Sequence, residues 1–578
     1  MTRSDIARIS TATALLLLLS SAAPTQTSGG QLTQSITARV DEQFAQWNKP
    51  DSPGCALAVI QNGQIIHKRG YGTSNLELDV PITPASVFNS GSISKQFTAM
   101  VILMLAQQGK LSLDDQIKKY IPEVPDFGAP LTLRHLIHHT SGLRDFLEML
   151  EMAGWRTGGI TTERDILEMV ARQRTLNHQP GNEFLYTNTG YVLLAVVVKR
   201  VTNQSLREFA ETHIFRPLGM NNTHFQDDHT AIIKGLADGY LPKRNRGFLK
   251  WMSADDHIGS SNLFTTVEDL ALWDQNFYDK KVGGAALIDQ MLTLGKLNDG
   301  TRLDYAHGLY VLPYKGLPTV IHNGSSLGYQ GTLIRFPAQH FSVALLCNVR
   351  GINPEGLAKR VADIYLADLL TSAPAQNPPA VAPPDAIKLS EKELSSVAGL
   401  YWNPVTDLVR RVYVKDGKLM YLRAAGNESE LAPLSNNSFL MLGVRNRVEI
   451  TFKAPRPGTP LQMYFSENGG KPSIQEPVKP ATYSSQELVE FAGTYYSSEV
   501  DTTYTLSPSG EQLLFRTGNW GDFLLAPRFI DSFANPAEMG SVIFTRDRNR
   551  RISGFVIRSG KVKNLRFEKV KPDPSKTR

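Results

Sequence analysis

The sequence predicts an α+β protein in which one antiparallel sheet carries a helical lobe and is followed by two small all-β modules. Strand-like runs stand at both ends of the first 370 residues, and helical patterns lie between them. A proline-rich stretch at 371–388 ends this region, and beyond it one pattern of short alternating runs occurs twice. Strands that flank a helical segment are typical of a single sheet packed against helices.

The amino-terminal residues 1–23 have the three parts of a signal peptide. Arg3 and Arg8 precede an apolar run at 9–19, and small residues follow at 20–23. The run is shorter than the roughly 20 apolar residues that a membrane-spanning helix needs. No cysteine follows it for lipid attachment. We therefore expect an exported protein, periplasmic or secreted, without a transmembrane anchor.

The predicted domain at 30–370 opens with a β-hairpin. Alternating runs at 56–60 and 64–68 flank Asn62-Gly63, a pair that favours a tight hairpin turn. The run at 97–105 is apolar nearly all the way round a helix and ends before Gly109, which indicates a buried helix. Two more helical runs, two strand-like runs and a last helix follow at 191–198, 270–277, 332–336, 341–347 and 354–370.

The modules at 389–478 and 479–572 are related to each other. Glu393-Leu394 and the residues at 398–402 return 94 positions later as Glu487-Leu488 and 492–496. Short alternating runs separated by turn residues are typical of up-and-down barrels, and two copies are too few for a solenoid. We expect two small barrel-like modules joined to the first domain by a semi-rigid linker at 371–388.

Charge and cysteine content limit the partners and the redox state. A formal charge of +6 over 578 residues gives no basic stripe, so we expect no nucleic-acid partner. Cys55 and Cys347 each lie in an apolar strand-like run. Two buried thiols are the first expectation, and export keeps a disulfide between neighbouring strands as the alternative.

The chemistry of the chain centres on Ser92-Ile93-Ser94-Lys95, the one S-x-x-K in the sequence. At positions i and i+3 of a helix the Ser92 hydroxyl and the Lys95 amine share a face, so the amine can take the hydroxyl proton. The positive potential at the start of a helix favours an oxyanion there. The alternative is a serine cap beside a solvated lysine.

Three histidines at 135, 138 and 139 invite a metal-site interpretation. Adjacent histidines do not face one ion from a helix, and no acidic residue stands at a zincin spacing. We therefore predict no metal and no cofactor.

Two further motifs follow Ser92 in order: Tyr186-Thr187-Asn188 in a polar loop, and His322-Asn323-Gly324 before two strand-like runs. With S-x-x-K, Y-x-N and H-x-G in this order, residues 35–370 resemble the serine hydrolases of the penicillin-binding protein and class C β-lactamase family. Segments 139–143 and 263–270 are similar to structural segments of that family. The resemblance implies a β-lactamase-like fold, and the domain order is similar to that of bacterial D-aminopeptidases.

The resemblance implies the catalytic roles. Ser92 is expected to be the nucleophile, and Lys95 and Tyr186 to carry the proton transfers. A phenol acts as a base only where neighbouring cations lower its pKa, which Lys95 and His322 are placed to do.

The resemblance also implies how the substrate is held. Asn188 is expected to hold Lys95 and a substrate amide, and the backbone N–H groups of Ser92 and Ser325 to form the oxyanion hole. His322 is expected to face the substrate, as a histidine that titrates near pH 6.5 where many relatives have lysine. Gly324 is expected to let the substrate backbone lie close to its strand.

A second nucleophile motif, 324–328, matches the G-x-S-x-G elbow of α/β-hydrolases and would make Ser326 the nucleophile. That fold requires a helix after the serine and a later aspartate and histidine, whereas strand-like sequence follows here and His340 is the only later histidine. We therefore favour Ser92.

Together these observations predict an exported serine hydrolase that works through an acyl-enzyme on D-residue-containing peptides, of D-aminopeptidase or DD-peptidase type. β-Lactamase and carboxylesterase activity are the alternatives, and a catalytically silent peptidoglycan-binding or sensor protein is the alternative of another class. The expected partners are a small peptide, β-lactam or ester, with peptidoglycan as a further candidate. The sequence leaves the natural substrate, the role of the modules and the oligomeric state open.

Overall fold

The computed structural model describes residues 28–156, 158–370, 387–424, 426–444, 446–535 and 539–570. The predicted signal peptide and nearly all of the predicted linker lie outside the described residues. Within the described part of the chain, no helix is long and apolar enough to cross a bilayer.

A six-stranded antiparallel sheet forms the centre of the first domain, and strands from both ends of the domain build it, as predicted. The amino-terminal hairpin joins the later strands because Cys55–Gln61 pairs with Phe341–Cys347. Both of these strands are buried over nearly their whole length, since helices cover the two faces of the sheet. From edge to edge the strands are Tyr310–Tyr314, Leu317–Ser326, Tyr329–Phe336, Phe341–Cys347, Cys55–Gln61 and Gln64–Tyr71.

The two cysteines form a disulfide, so the first expectation of two buried thiols is wrong. The register of the central strand pair places Cys55 directly opposite Cys347, with the Cα atoms 4.0 Å apart. Each cysteine lies in an apolar run, as the sequence indicates, but the pairing of these two strands depends on the assembled sheet.

Alternation along the central strands separates two cores. Leu57 and Val59 face the helices Ser28–Phe44 and Pro354–Tyr365, whereas the small residues Ala56 and Ala58 belong to the core on the opposite face. On that face lie the longer helices of the lobe. Apart from Ser28–Phe44 and Pro354–Tyr365, the α-helices of the domain are Lys95–Gln107, Leu133–Ile137, Phe146–Met152, Glu163–Arg172, Asn188–Thr202, Leu206–Ala210, Arg216–Leu218, Val267–Asp279 and Gly284–Met291.

Short strand pairs complete the lobe. They are Thr73–Asn75 with Val80–Pro81, Thr161–Thr162 with Asp255–Asp256, Tyr240–Pro242 with Phe248–Lys250, and Leu263–Thr265 between Phe88–Asn89 and His224–Phe225.

The two modules are closed eight-stranded barrels, which confirms the predicted all-β architecture. A helical segment, Glu391–Ser396 or Glu487–Phe491, precedes each barrel. In each copy a tyrosine hydroxyl at the equivalent position donates to a backbone carbonyl of the chain before it: Tyr401 to Val397 at 2.8 Å and Tyr495 to Phe491 at 2.7 Å.

The first barrel consists of the strands Gly399–Trp402, Val409–Lys415, Lys418–Ala424, Asn427–Pro433, Ser438–Met441, Val448–Lys453, Gln462–Glu467 and Ser473–Val478. The second consists of Gly493–Ser497, Thr502–Ser509, Gln512–Arg516, Asp522–Phe529, Ser532–Asn535, Gly540–Arg546, Ile552–Ser559 and Val562–Lys569.

The second barrel packs on the helical lobe of the first domain. Its apolar core is continuous with the core of the lobe, whereas the first barrel has a core of its own. The Arg144 guanidinium forms a fully buried ion pair with Glu499 of the barrel. The Tyr504 hydroxyl donates to the backbone carbonyl of Met152. The second barrel is therefore part of the body that carries the candidate site.

Candidate active site

Ser92 lies in a single helical turn, Gly91–Ser94, immediately before the buried helix Lys95–Gln107. Two glycines allow this turn to contact the strand Leu317–Ser326. A Cβ on Gly91, whose φ is +55°, would lie 2.4 Å from the Ser325 nitrogen, and a Cβ on Gly324 would lie 1.9 Å from the Ser90 oxygen. The space beside Gly324 is thus filled by the Ser90 carbonyl rather than kept for substrate backbone, which differs from the expected reason for this glycine.

Lys95 is fully buried beside Ser92. Its Nζ lies 3.1 Å from Ser92 Oγ, 2.9 Å from Asn188 Oδ1 and 2.7 Å from the Ser260 carbonyl oxygen. Burial holds the pKa of the Lys95 amine well below its usual value. In the neutral amine, two N–H groups satisfy Asn188 and Ser260, and the lone pair faces the Ser92 hydroxyl. In this arrangement Lys95 can accept a proton from Ser92.

Asp145 fixes the orientation of Asn188, and sequence reasoning missed it. Its Oδ2 accepts hydrogen bonds from the backbone N–H of Asn188 at 2.6 Å and from the side-chain amide at 3.0 Å. The amide oxygen of Asn188 must then point to Lys95. In the sequence, Asp145 resembles an ordinary helix cap, and it does accept from the Leu147 N–H at 3.2 Å.

Tyr186 completes the group of side chains around Ser92, and both residues line the same cavity. Lys95 Nζ lies 4.9 Å from the centre of the tyrosine ring. Burial nevertheless raises the pKa of Tyr186 well above its usual value. The expectation that neighbouring cations lower this pKa is therefore wrong, and Tyr186 is a neutral phenol that can donate a proton.

His322 is also neutral. Its Nδ1–H donates to the Asn323 carbonyl at 2.7 Å, so Nε2 accepts from the Tyr305 hydroxyl at 3.2 Å. Burial is the main cause that lowers the pKa of His322 to about 3, and a positive charge on Lys95 acts in the same direction. The expected titration near neutral pH does not occur, because the ring is removed from water.

The three histidines near 138 have separate surroundings. His135 closes the capping box of the helix Leu133–Ile137, and the His138 ring packs against His307 at 4.6 Å. His139 lies under Tyr186, with ring centres 4.1 Å apart, and its Nδ1 accepts from the Thr187 N–H at 3.2 Å. His139 therefore supports the Tyr186 loop.

Ser326 has the wrong context for a nucleophile. It ends the strand Leu317–Ser326, and the strand Tyr329–Phe336 follows after a two-residue turn, so the strand–turn–helix of an elbow is absent at this point. The amide of Asn89 lies 3.4 Å from its hydroxyl. An amide N–H cannot take a proton from serine.

A cavity of about 980 Å³ brings the predicted site residues together. Ser92, Tyr186, Asn188, His322, Gly324 and Ser325 all line it, whereas the Lys95 amine reaches Ser92 from beneath. An apolar wall of Phe146, Leu147, Leu150, Trp155, Trp251 and Leu327 lines the same cavity. The site therefore holds acyl-transfer groups against a hydrophobic wall.

A lysine of the second barrel also lines this cavity, and sequence reasoning missed it. Lys561 lies in the turn between the strands Ile552–Ser559 and Val562–Lys569, and its Nζ is 5.3 Å from the centre of the Tyr186 ring. Its backbone N–H donates to Glu148 at 2.9 Å, and burial raises the pKa of that carboxyl to about 7.

Comparison with known proteins agrees with the three motifs. Residues 34–367 match the protein-family model described as Beta-lactamase. This match covers more than half of the chain, and the chain therefore belongs to that family, whose members are serine hydrolases. The resemblance predicted from the sequence is confirmed.

Two relatives show how far the similarity extends. Penicillin-binding protein 4* of Bacillus subtilis (strain 168) is 28% identical over 415 residues, which is 69% of this chain and 90% of the relative. The D-aminopeptidase of Gluconobacter oxydans (strain 621H) is 26% identical over 372 residues, 64% of this chain and 67% of the relative. The solved octameric penicillin-binding protein homologue from Pyrococcus abyssi shares the fold, with a TM-score of 0.51, 23% identity, and coverage of 78% of this chain and 100% of that chain.

Proposed function

We propose that this protein is an exported serine hydrolase that cleaves amide bonds in small D-residue-containing peptides through an acyl-enzyme on Ser92. The observation that carries the proposal is the buried Lys95 amine, 3.1 Å from the Ser92 hydroxyl and held by two carbonyl oxygens. A serine hydroxyl becomes an effective nucleophile when a base takes its proton.

Acylation uses the groups already in contact. Ser92 Oγ bonds to the substrate carbonyl carbon while its proton passes to Lys95 Nζ. The backbone N–H groups of Ser92 and Ser325 stabilise the oxyanion. When the C–N bond breaks, the Tyr186 hydroxyl gives its proton to the leaving nitrogen and regains one from Lys95. Water then attacks the acyl ester, its proton returns to Ser92 Oγ by the same route, and the carboxylic acid is released.

The substrate class draws on the relatives and on the cavity. One relative is named a D-aminopeptidase, and this chain covers 67% of it. The apolar wall beside Ser92 suits a hydrophobic side chain. Export is supported by the signal-like residues at 1–23 and by the Cys55–Cys347 disulfide, because disulfides persist in oxidising compartments.

A substrate panel tests the proposal. We expect the mature protein to hydrolyse D-aminoacyl amides or D,D-dipeptides faster than their L-isomers, nitrocefin and short-chain p-nitrophenyl esters. Ser92→Ala should abolish this activity, and Ser326→Ala should retain it. Faster hydrolysis of nitrocefin or of the esters would favour a β-lactamase or an esterase. No hydrolysis of any substrate would favour a peptidoglycan-binding or sensor protein.

A further inference from the structure

We propose that Lys561 of the second barrel is a specificity-determining residue that binds the carboxylate of the substrate's leaving residue. The inference rests on the proposed function and names its substrate class: short D-residue peptides that end in a free carboxylate next to the scissile bond. The second barrel thereby supplies a cation over Tyr186, whereas His322 is neutral.

The hairpin that carries Lys561 is held firmly on the lobe by its backbone. Asn177 receives the Lys563 N–H at 2.7 Å and donates to the Lys561 carbonyl at 2.8 Å. Arg144 donates to the carbonyls of Lys563 and Asn564 at 3.2 and 3.1 Å. The backbone of this turn is therefore ordered before a ligand binds, so ordering is required of the lysine side chain alone.

The Lys561 side chain has donors to offer. Within the described residues its Nζ makes no hydrogen bond, and its one ion pair is a long contact of 3.9 Å with Asp145 Oδ2. That oxygen already accepts two N–H groups from Asn188. About a third of the Lys561 side chain is exposed, and the residue lines the cavity. An ammonium with three N–H groups facing a cavity is suited to a carboxylate.

The position of Lys561 indicates which part of the substrate it meets. Tyr186 hands its proton to the leaving nitrogen, and Lys561 lies over the ring of Tyr186. The α-carboxylate of a leaving amino acid is two bonds from that nitrogen. Two other cations line the cavity. Arg156 follows Trp155 of the apolar wall, and Arg350 donates to Ser325 Oγ at 2.9 Å and packs on Trp251.

The acidic side chains of the cavity wall do not prevent Lys561 from binding a carboxylate. Glu355 is paired with Lys359 and Asn323, and Asp255 accepts from Ser253 at 2.5 Å. Glu151 lies on the helix Phe146–Met152 at the apolar wall. Over the Tyr186 ring, Lys561 therefore brings a positive charge to the cavity.

The test compares one peptide in two forms: N-acetyl-D-alanyl-D-alanine and its C-terminal amide. In the full chain, Lys561→Met should lower kcat/KM for the acid about tenfold relative to the amide, since roughly one charge–charge contact is lost. Lys563→Met is the matched control. It lies on the same hairpin, but its ammonium pairs with Glu183 at 3.1 Å outside the cavity lining, so the acid-to-amide ratio should stay at the wild-type value.

A second measurement separates this proposal from the proposed function. The second measurement is how well each peptide protects Ser92 from labelling by a fluorophosphonate. Protection by the acid should exceed protection by the amide in the wild type and in Lys563→Met. In Lys561→Met the two peptides should protect equally. If the acid-to-amide ratio of Lys561→Met equals that of the wild type in both kcat/KM and protection, the role of Lys561 is overturned and the hydrolase proposal stays intact. Selective protection without turnover of either peptide overturns the proposed function and keeps the carboxylate site. Equal thermal unfolding midpoints in the two variants show that neither effect arises from misfolding.

Discussion

At the scale of single residues, burial decides the protonation state of the site. Lys95, Tyr186 and His322 are all enclosed, and each is driven towards its neutral form. In the proposed mechanism the neutral amine is the base and the neutral phenol is the proton donor, while the imidazole is a fixed hydrogen-bonding support. Among the cations that line the cavity, Arg156, Arg350 and Lys561, it is Lys561 that lies over the Tyr186 ring.

The state of Lys95 gives the first prediction. Because the amine must be deprotonated to act, kcat/KM should rise with pH along a limb that lies well below the ordinary lysine pKa near 10.5. Lys95→Arg, whose guanidinium stays protonated, should lower kcat by about 10²- to 10⁴-fold. The measurement is a pH–rate profile on a neutral amide from pH 5 to 10. A limb near pH 10, or an active arginine variant, would contradict Lys95 as the base.

At this scale the sequence predicts which side chains lie in the site better than it predicts their protonation states. The three residues that the motifs single out, Ser92, Lys95 and Tyr186, lie together, and the spacing of S-x-x-K puts the first two on adjoining helical turns. Asp145 and Lys561 carry no such signal, since each reaches the site only through the packing of separate elements. The raised pKa of Tyr186 depends on the depth at which the loop is buried, which the residue pattern does not express.

At the scale of elements, the buried ion pair between Arg144 and Glu499 joins the lobe to the second barrel. Arg144 also holds the hairpin of Lys561 through two carbonyls. A buried pair adds little net stability, but removing one partner leaves the other charge uncompensated.

This pair gives the second prediction. Glu499→Gln should destabilise the docked barrel by about 3–5 kcal/mol, because Arg144 then stays buried without its carboxylate. The double variant Arg144→Met with Glu499→Leu should lose less than the single variant. Urea unfolding followed by tryptophan fluorescence measures both. If Glu499→Gln is as stable as the wild type, the prediction is contradicted, and water must reach the Arg144 guanidinium.

Elements themselves are largely predictable here. The Asn62-Gly63 hairpin, the buried helix after Ser92 and the two strands before the last helix are present, because period-2 and all-round apolar patterns are local signals. Strand order is not local. The neighbour of Cys55–Gln61 is a strand nearly 300 residues later, so the disulfide depends on the assembled sheet.

At the scale of the whole molecule, the two barrels differ in their relation to the catalytic domain. The 94-residue repeat predicts two similar modules, and both are closed barrels. Their similarity does not indicate which of them docks. The docking residues Glu499, Tyr504 and Lys561 belong to the second barrel. They contact the helical lobe, and the repeat pattern carries no information about that surface.

This organisation gives the third prediction. A chain that ends at residue 370 should be less stable than the full chain and should bind a hydrophobic dye, since the lobe loses the barrel that covers Arg144 and Met152. Thermal unfolding and dye fluorescence of the two chains provide the measurement. A truncated chain with the full-length midpoint would show that the barrel only rests on the lobe.

The central claim is that Ser92 is the nucleophile of an active serine hydrolase. Fluorophosphonate labelling of the mature protein, followed by peptide mapping by mass spectrometry, tests it most directly. We expect one adduct per chain, located on Ser92, lost in Ser92→Ala and retained in Ser326→Ala. An adduct on Ser326, or no adduct on the folded protein, would contradict the account.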